Sequence, residues 1–211
     1  MELAGGLRRR CGRPAIDTGF HQGSVAILGF VIDSLPLPTV VETPTGLVEL
    51  RAAVESDLDA LMELLADDSV SRSRGDVASD ADVAAYAAGL RAVTRDPSNV
   101  VVVVERRPTG GAEEEPGSDV IGMLQLTAIP GLARRGALRL LVEAVRIAAT
   151  ERGNGIGGAV MEWAKGPAAL ATGAGLVQLT SDVQRSDAHR FYERLGFVAS
   201  HVGFKYFPDR E

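Results

Sequence analysis

The 211 residues, 45% of them hydrophobic, can build one sizeable core, which excludes a globally disordered chain. A formal charge of −6 and a pI near 5.2 argue against a general nucleic-acid binder, which needs a basic face. One cysteine, Cys11, rules out an intrachain disulfide, and three scattered histidines, His21, His189 and His201, lack metal-ligand spacing.

Residues 1–45 read as a loosely ordered N-terminal extension. Arg8, Arg9 and Arg10 followed by the apolar SVAILGFVI at 24–32 resemble a secretory signal. Asp17 and His21 intervene, however, and no small-x-small cleavage site follows. The run is also far short of the roughly 20 residues a membrane helix requires. A short strand at 24–32 is the alternative, and the proline-spaced LPLPTVVETPTG reads as a linker.

From Leu47 the pattern is regular. LVELRAAV alternates as a strand, and Ser56-x-x-Asp59 suggests a capping box. Leu58, Leu61, Met62 and Leu65 then predict an amphipathic helix over 57–66. DDSVSRSRGD is loop-like, and a second helix over 80–94 would bury Val83, Ala87 and Leu90. NVVVVVER (99–106) and DVIGMLQLTAI (119–129) read as an antiparallel hairpin, joined by a Gly- and Glu-rich loop. ALRLLVEAVRIA (137–148) supplies a third strand of this meander.

A helix begins at Gly155 and should kink or end at Gly166-Pro167, because proline cannot donate to the preceding turn. LVQLTSD (176–182) is a strand. DAHRFYERL (187–195) is a helix stopped by Gly196, and FVASHVGFKYF (197–207) supplies one or two final strands. The order is β α α β β β α β α β β: a mixed, mostly antiparallel α+β sheet flanked by helices over 46–208. Aromatic content of 5% is too low for base-stacking platforms.

The turn RGNGIGG (152–158) satisfies two phosphate signatures. Gly153, Gly155 and Gly158 fit the dinucleotide-binding G-x-G-x-x-G, and Arg152, Gly155 and Gly157 fit R-x-x-G-x-G. Both place a pyrophosphate on backbone N–H groups at a helix start. Asp182 is near the position of a ribose-binding acid, yet AATER separates strand from turn and fewer than sixty residues follow. A hairpin meander also precedes the turn, where parallel βαβ units belong.

The strand LLVEAVRI, the turn ERGNGIGGAVM and the segment DAHRFYERLGF resemble those of GNAT-type N-acetyltransferases, over about residues 47–207. The resemblance implies direct acetyl transfer from acetyl-CoA to a small-molecule or peptide amine. It also implies a splayed strand whose Val145 and Ile147 backbone groups pair with the pantetheine arm. Arg152, Gly153, Asn154, Gly155, Ile156 and Gly157 would then wrap the pyrophosphate, with Glu151 at the start of the loop. Ala188 leaves room for cofactor beside Tyr192, four residues on, and the resemblance puts that phenol at the thiol sulfur as general acid.

Glu143 or a water is the base, and strand parity puts Glu143 on one face with Val145 and Ile147. Arg185 stands where the family often has asparagine, so it either contacts the cofactor or faces solvent. Gln125 and Thr127 are candidates for acceptor contact, and His189 and His201 read as surface residues. Cys11 lies in the extension, which disfavours a cysteine acyl-enzyme. A second reading is a non-catalytic acyl-CoA-sensing module, and a third a dinucleotide-binding protein. The expected setting is cytoplasmic, with no nucleic-acid or membrane partner; pairing as a homodimer is an implication of the resemblance alone.

Overall fold

The computed structural model describes residues 31–107 and 120–208. The extension through residue 30 and the loop at 108–119 lie outside the described residues. Six strands form one sheet: β1 (Thr39–Thr43), β2 (Gly46–Ala52), β3 (Asn99–Arg106), β4 (Val120–Ile129), β5 (Arg139–Ile147) and β6 (Leu176–Leu179), in sequence order. All neighbours run antiparallel except β5 and β6, which are parallel. The helical elements are α1 (Leu58–Ala66), α2 (Ser69–Arg72), α3 (Val83–Arg95), the single turn α4 (Ala133–Gly136), α5 (Ile156–Trp163), α6 (Ala169–Thr172) and α7 (Ser186–Arg194).

Two cores follow from the alternation of the strands. On one face Val101, Val103 and Met123 meet Leu61 and Leu64 of α1 and Leu90 of α3. On the other, Val102, Val104, Leu124, Leu126, Leu140 and Val142 meet Ile156, Val160, Met161 and Trp163 of α5. The helix stripe, the valine run and the hairpin form as their periodicities predict, and Gly196 takes φ 85° after α7. The Gly196 N–H donates to Glu193 O and the Phe197 N–H to Tyr192 O, which closes a Schellman motif.

Several expectations need correction. The run read as a linker forms β1, whose Thr39, Val40 and Val41 pair with Leu50, Glu49 and Val48. Ile32 and Leu35 enter the core, so the ordered unit begins upstream of residue 46. No side chain caps the N-terminus of α1. Instead the buried Asp57 carboxylate accepts the Val54 N–H at 2.7 Å and holds both guanidinium nitrogens of Arg51 at 2.8 Å. Gly166-Pro167 does not end its helix: Ala164–Ala168 widens into a π-turn, which absorbs the missing donor, and α6 continues.

The final stretch forms no strand. Val202, Phe204 and Tyr206 alternate as strand residues do, yet all are exposed.

Candidate functional site

The site is built around a gap in the sheet. β6 pairs with β5 only from Arg139↔Leu176 to Val142↔Leu179. Beyond that, Glu143 to Ile147 have β4 on one side and no strand on the other. The Ala148 N–H points to β4, donating to Ile121 O at 2.9 Å. Strand alternation therefore turns the backbone groups of Ile147 and Val145 towards the gap. Their carbonyls accept Arg152 Nε and Arg146 Nη1 respectively, each at 2.9 Å.

A bulge interrupts β5 at the mouth of this gap. Met123 pairs with Arg146 and Gln125 with Glu143, so Leu124 opposes both Ala144 and Val145. Ala144 sits at φ 49°, a left-handed conformation costing roughly 1–2 kcal/mol for an L-residue. The extra residue reverses the alternation. Val142, Val145 and Ile147 pack on the α5 face, whereas Ala144 and Ala148 pack on the α1–α3 face. Glu143 consequently does not share a face with Val145 and Ile147, contrary to simple parity.

Glu143 is exposed opposite Gln125. Gln125 Nε2 and Thr127 Oγ1 both donate to Asn99 Oδ1, at 3.2 and 2.5 Å, which joins β3 and β4 in a polar row. A surface depression of about 540 Å³ lies elsewhere, lined by Pro130, Gly131, Leu132, Leu138 and Thr172. None of its lining residues is ionisable.

The glycine turn closes one end of the gap. Gly153 and Gly155 adopt φ of 86° and 80°. A Cβ on Gly155 would also stand 2.7 Å from Pro44 Cγ in the β1–β2 turn, so side chains are barred there twice over. The first bond of α5 runs from the Ala159 N–H to Gly155 O at 3.1 Å. The N–H groups of Ile156, Gly157 and Gly158 thus precede any intrahelical acceptor. Gly157 lies against Ile147 and Phe191, where a Cβ would make ordinary contacts at 3.6 Å.

Asn154 Nδ2 donates to Glu151 at 3.3 Å, and Glu151 is paired with Arg106, whose hydrogen bond holds the carboxyl below its usual range. The Arg152 guanidinium donates to Asp67 Oδ2 at 2.8 Å, bridging the turn to the end of α1.

α7 forms the opposite wall. Ala188 and Tyr192 are half-buried on one of its faces. Tyr192 packs edge-on to Phe191 and Phe197, with ring centroids 5.1 and 5.9 Å away. Burial pushes the phenol pKa up, partly opposed by Arg146 and Arg185. No described residue hydrogen-bonds its hydroxyl. His189 Nε2 lies 2.8 Å from Asp182 O, bracing the turn before α7, and His201 is exposed in the tail. Asp182 is ion-paired with Arg74.

Arg185 joins a cluster that the sequence did not reveal. Its guanidinium pairs with Asp68 and reaches Ser71 Oγ at 3.5 Å. Arg146 donates to the same hydroxyl at 2.7 Å. Two guanidinium groups therefore converge on one neutral oxygen beside Tyr192. The one available hint was an arginine in the otherwise apolar strand end AVRI; its partner Ser71 is 75 positions away.

Comparison with known proteins agrees with this architecture. Residues 97–199 match the model of the acetyltransferase (GNAT) domain. The chain is 30% identical over 156 residues to an aminoalkylphosphonate N-acetyltransferase of Salmonella typhimurium, covering 74% of this chain and 88% of the relative. A crystal structure of a transcriptional regulator from Bacillus halodurans aligns with a TM-score of 0.66 at 37% identity, covering 76% of this chain and 99% of the other. An acetyltransferase from Trypanosoma brucei aligns at 0.53 and 26% identity, covering 76% and 99%. The mostly antiparallel sheet removes the dinucleotide-fold reading, and the chain is an acyltransferase that belongs to the GNAT acetyltransferase family.

Proposed function

We propose that this enzyme moves the acetyl group of acetyl-CoA directly onto a primary amine, within the gap between β5 and β6. The observation that carries the reading is the end of β5–β6 pairing at Val142–Leu179, which turns the backbone of Val145 and Ile147 towards open space. A pantetheine arm supplies acceptors for the N–H groups of such an edge, whose Ile147 and Val145 carbonyls already accept Arg152 and Arg146. The residues at the turn also fit a diphosphate: Gly153 and Gly155, at positive φ, keep side chains out of the loop, and N–H groups at the start of α5 favour anionic oxygen by about 0.3–1 kcal/mol per contact. Arg152 and Asn154 flank that position, and Ala188 leaves room beside it.

Acetyl-CoA supplies an activated carbonyl on a thiol leaving group. The amine nitrogen attacks that carbonyl carbon, and the Val145 N–H stabilises the developing oxyanion. The C–S bond then breaks, the sulfur takes the proton of the Tyr192 phenol, and the proton that the nitrogen sheds on becoming an amide restores the phenol. Burial keeps that phenol protonated at neutral pH, which suits a donor.

The acceptor arrives protonated. Removing a proton from an amine of pKa near 10.4 at pH 7 costs roughly 4–5 kcal/mol. Glu143, exposed on the acceptor face beside Gln125, or a water next to it, takes that proton. Gln125 and Thr127 border the acceptor. The only thiol in the sequence, Cys11, has no place in this scheme, so attack is direct. The Salmonella relative, by its name, acetylates aminoalkylphosphonates, which supports a small-molecule amine here.

Replacing Tyr192→Phe tests the acid. The expected result is a kcat lower by about 10²-fold or more with acetyl-CoA affinity retained. Undiminished kcat removes Tyr192 from the role.

A further inference from the structure

We infer that Arg146, with Arg185 beside it, binds an anionic group on the acceptor, so that the preferred substrate is a short amine carrying a carboxylate or phosphonate. This rests on the acetyl-transfer reading above and deepens it. Arg146 is largely buried, and burial, followed by the nearby Arg185 charge, disfavours its cationic form. Its two terminal nitrogens reach only neutral oxygens, Val145 O and Ser71 Oγ. Its Nε is buried without any acceptor. Among the described residues, no carboxylate lies within ion-pair distance of it.

The neighbouring carboxylates are already committed. Asp68 accepts from Arg185 and from the Ser71 N–H, the latter at 2.7 Å. Asp76 accepts the Tyr86 hydroxyl at 3.1 Å. Asp182 holds Arg74 and the Gln184 N–H. A buried guanidinium with an orphaned donor is costly, and an arriving oxyanion relieves that cost with forked, charge-assisted bonds.

Position argues for the acceptor rather than the cofactor. The Arg146 side chain projects to α2 on the α1–α3 face, the face of Glu143, Gln125 and Thr127. Val145 and Ile147, on either side of it, pack on the opposite face. Arg146 and Arg185 both act electrostatically on Tyr192, which puts an anion held there close to the transfer point.

The experiment compares three amines of matched length, 2-aminoethylphosphonate, β-alanine and the neutral β-alaninamide, on the wild-type enzyme and on Arg146→Gln and Arg146→Lys. Wild type should favour at least one acid over β-alaninamide in kcat/KM by tenfold or more, and the better acid identifies the oxyanion. In R146Q this ratio should fall by about 10–100-fold through the KM for the amine, the worth of a charge-assisted pair. R146K, which keeps the charge but not the fork, should fall between them.

Equal or better use of β-alaninamide by wild type overturns the inference while leaving acetyl transfer intact. So does an R146Q loss that is the same for all three amines, or one confined to the KM for acetyl-CoA. Failure of the wild-type enzyme to bind acetyl-CoA overturns the underlying reading as well.

Discussion

Tyr192 shows how a side chain can owe its chemistry to its surroundings. The phenol is wedged between Phe191 and Phe197 at the end of α7, and desolvation raises its pKa above the ordinary value near 10. Arg146 and Arg185 pull in the opposite direction without cancelling the effect. A donor whose pKa is raised remains protonated through neutral and mildly alkaline pH. The alkaline fall in kcat should therefore lie above about pH 10 for wild type and vanish in the weakly active Y192F. A limb between pH 7 and 9 that survives in Y192F would assign it to another group. Arg146 makes the complementary point: its position in VEAVRI is plain in the sequence, but its isolation from carboxylates appears only when α2, β5 and α7 are brought together.

At the scale of elements, the periodic segments were readable and the joints between them were not. The stripe Leu58, Leu61, Met62 and Leu65 fixes α1, and the valine run fixes β3, because each pattern has one burial solution. The bulge at Ala144 has no such signature, since alanine carries no preference for a left-handed φ. It nevertheless puts Val145 and Ile147 on the face opposite Glu143. The start of α1 misled in the same way: Ser56 and Asp59 have the spacing of a cap, but Asp57 is the buried carboxylate.

Burial tends to raise the Asp57 pKa, while hydrogen bonds from Arg51 and Val54 more than offset it, leaving the value depressed. Its stabilisation is therefore complete above the ordinary carboxylate pKa near 4 and is lost as pH falls below that through the folded-state value. Asp57→Ala removes one of the two carboxylates on Arg51, which keeps its pairing with Glu105, and orphans the Val54 N–H; it should cost about 2 kcal/mol in urea unfolding at pH 7. Ser56→Ala should cost under about 0.5 kcal/mol. The reverse ranking would restore the capping box.

Across the whole molecule, the proposed function rests on an incomplete sheet. Five antiparallel strands and one short parallel strand leave β5 half-paired, and the glycine turn and α7 close the ends of the resulting gap. Turn, strand and α7 segment were legible because each has a local sequence pattern. The gap was expected only through the family resemblance, since the length of β6 depends on where its polar end turns away at Asp182. β1 was invisible for a related reason: an edge strand in a proline-spaced run exists only by pairing with β2.

The central claim is that the half-paired edge of β5 and the amide-rich start of α5 together hold acetyl-CoA. Isothermal titration calorimetry of the intact chain tests it most directly. The account predicts saturable one-to-one binding of acetyl-CoA, weakened in Gly157→Ala, and no heat with NAD. No heat with acetyl-CoA from folded protein, or binding of NAD alone, would contradict it.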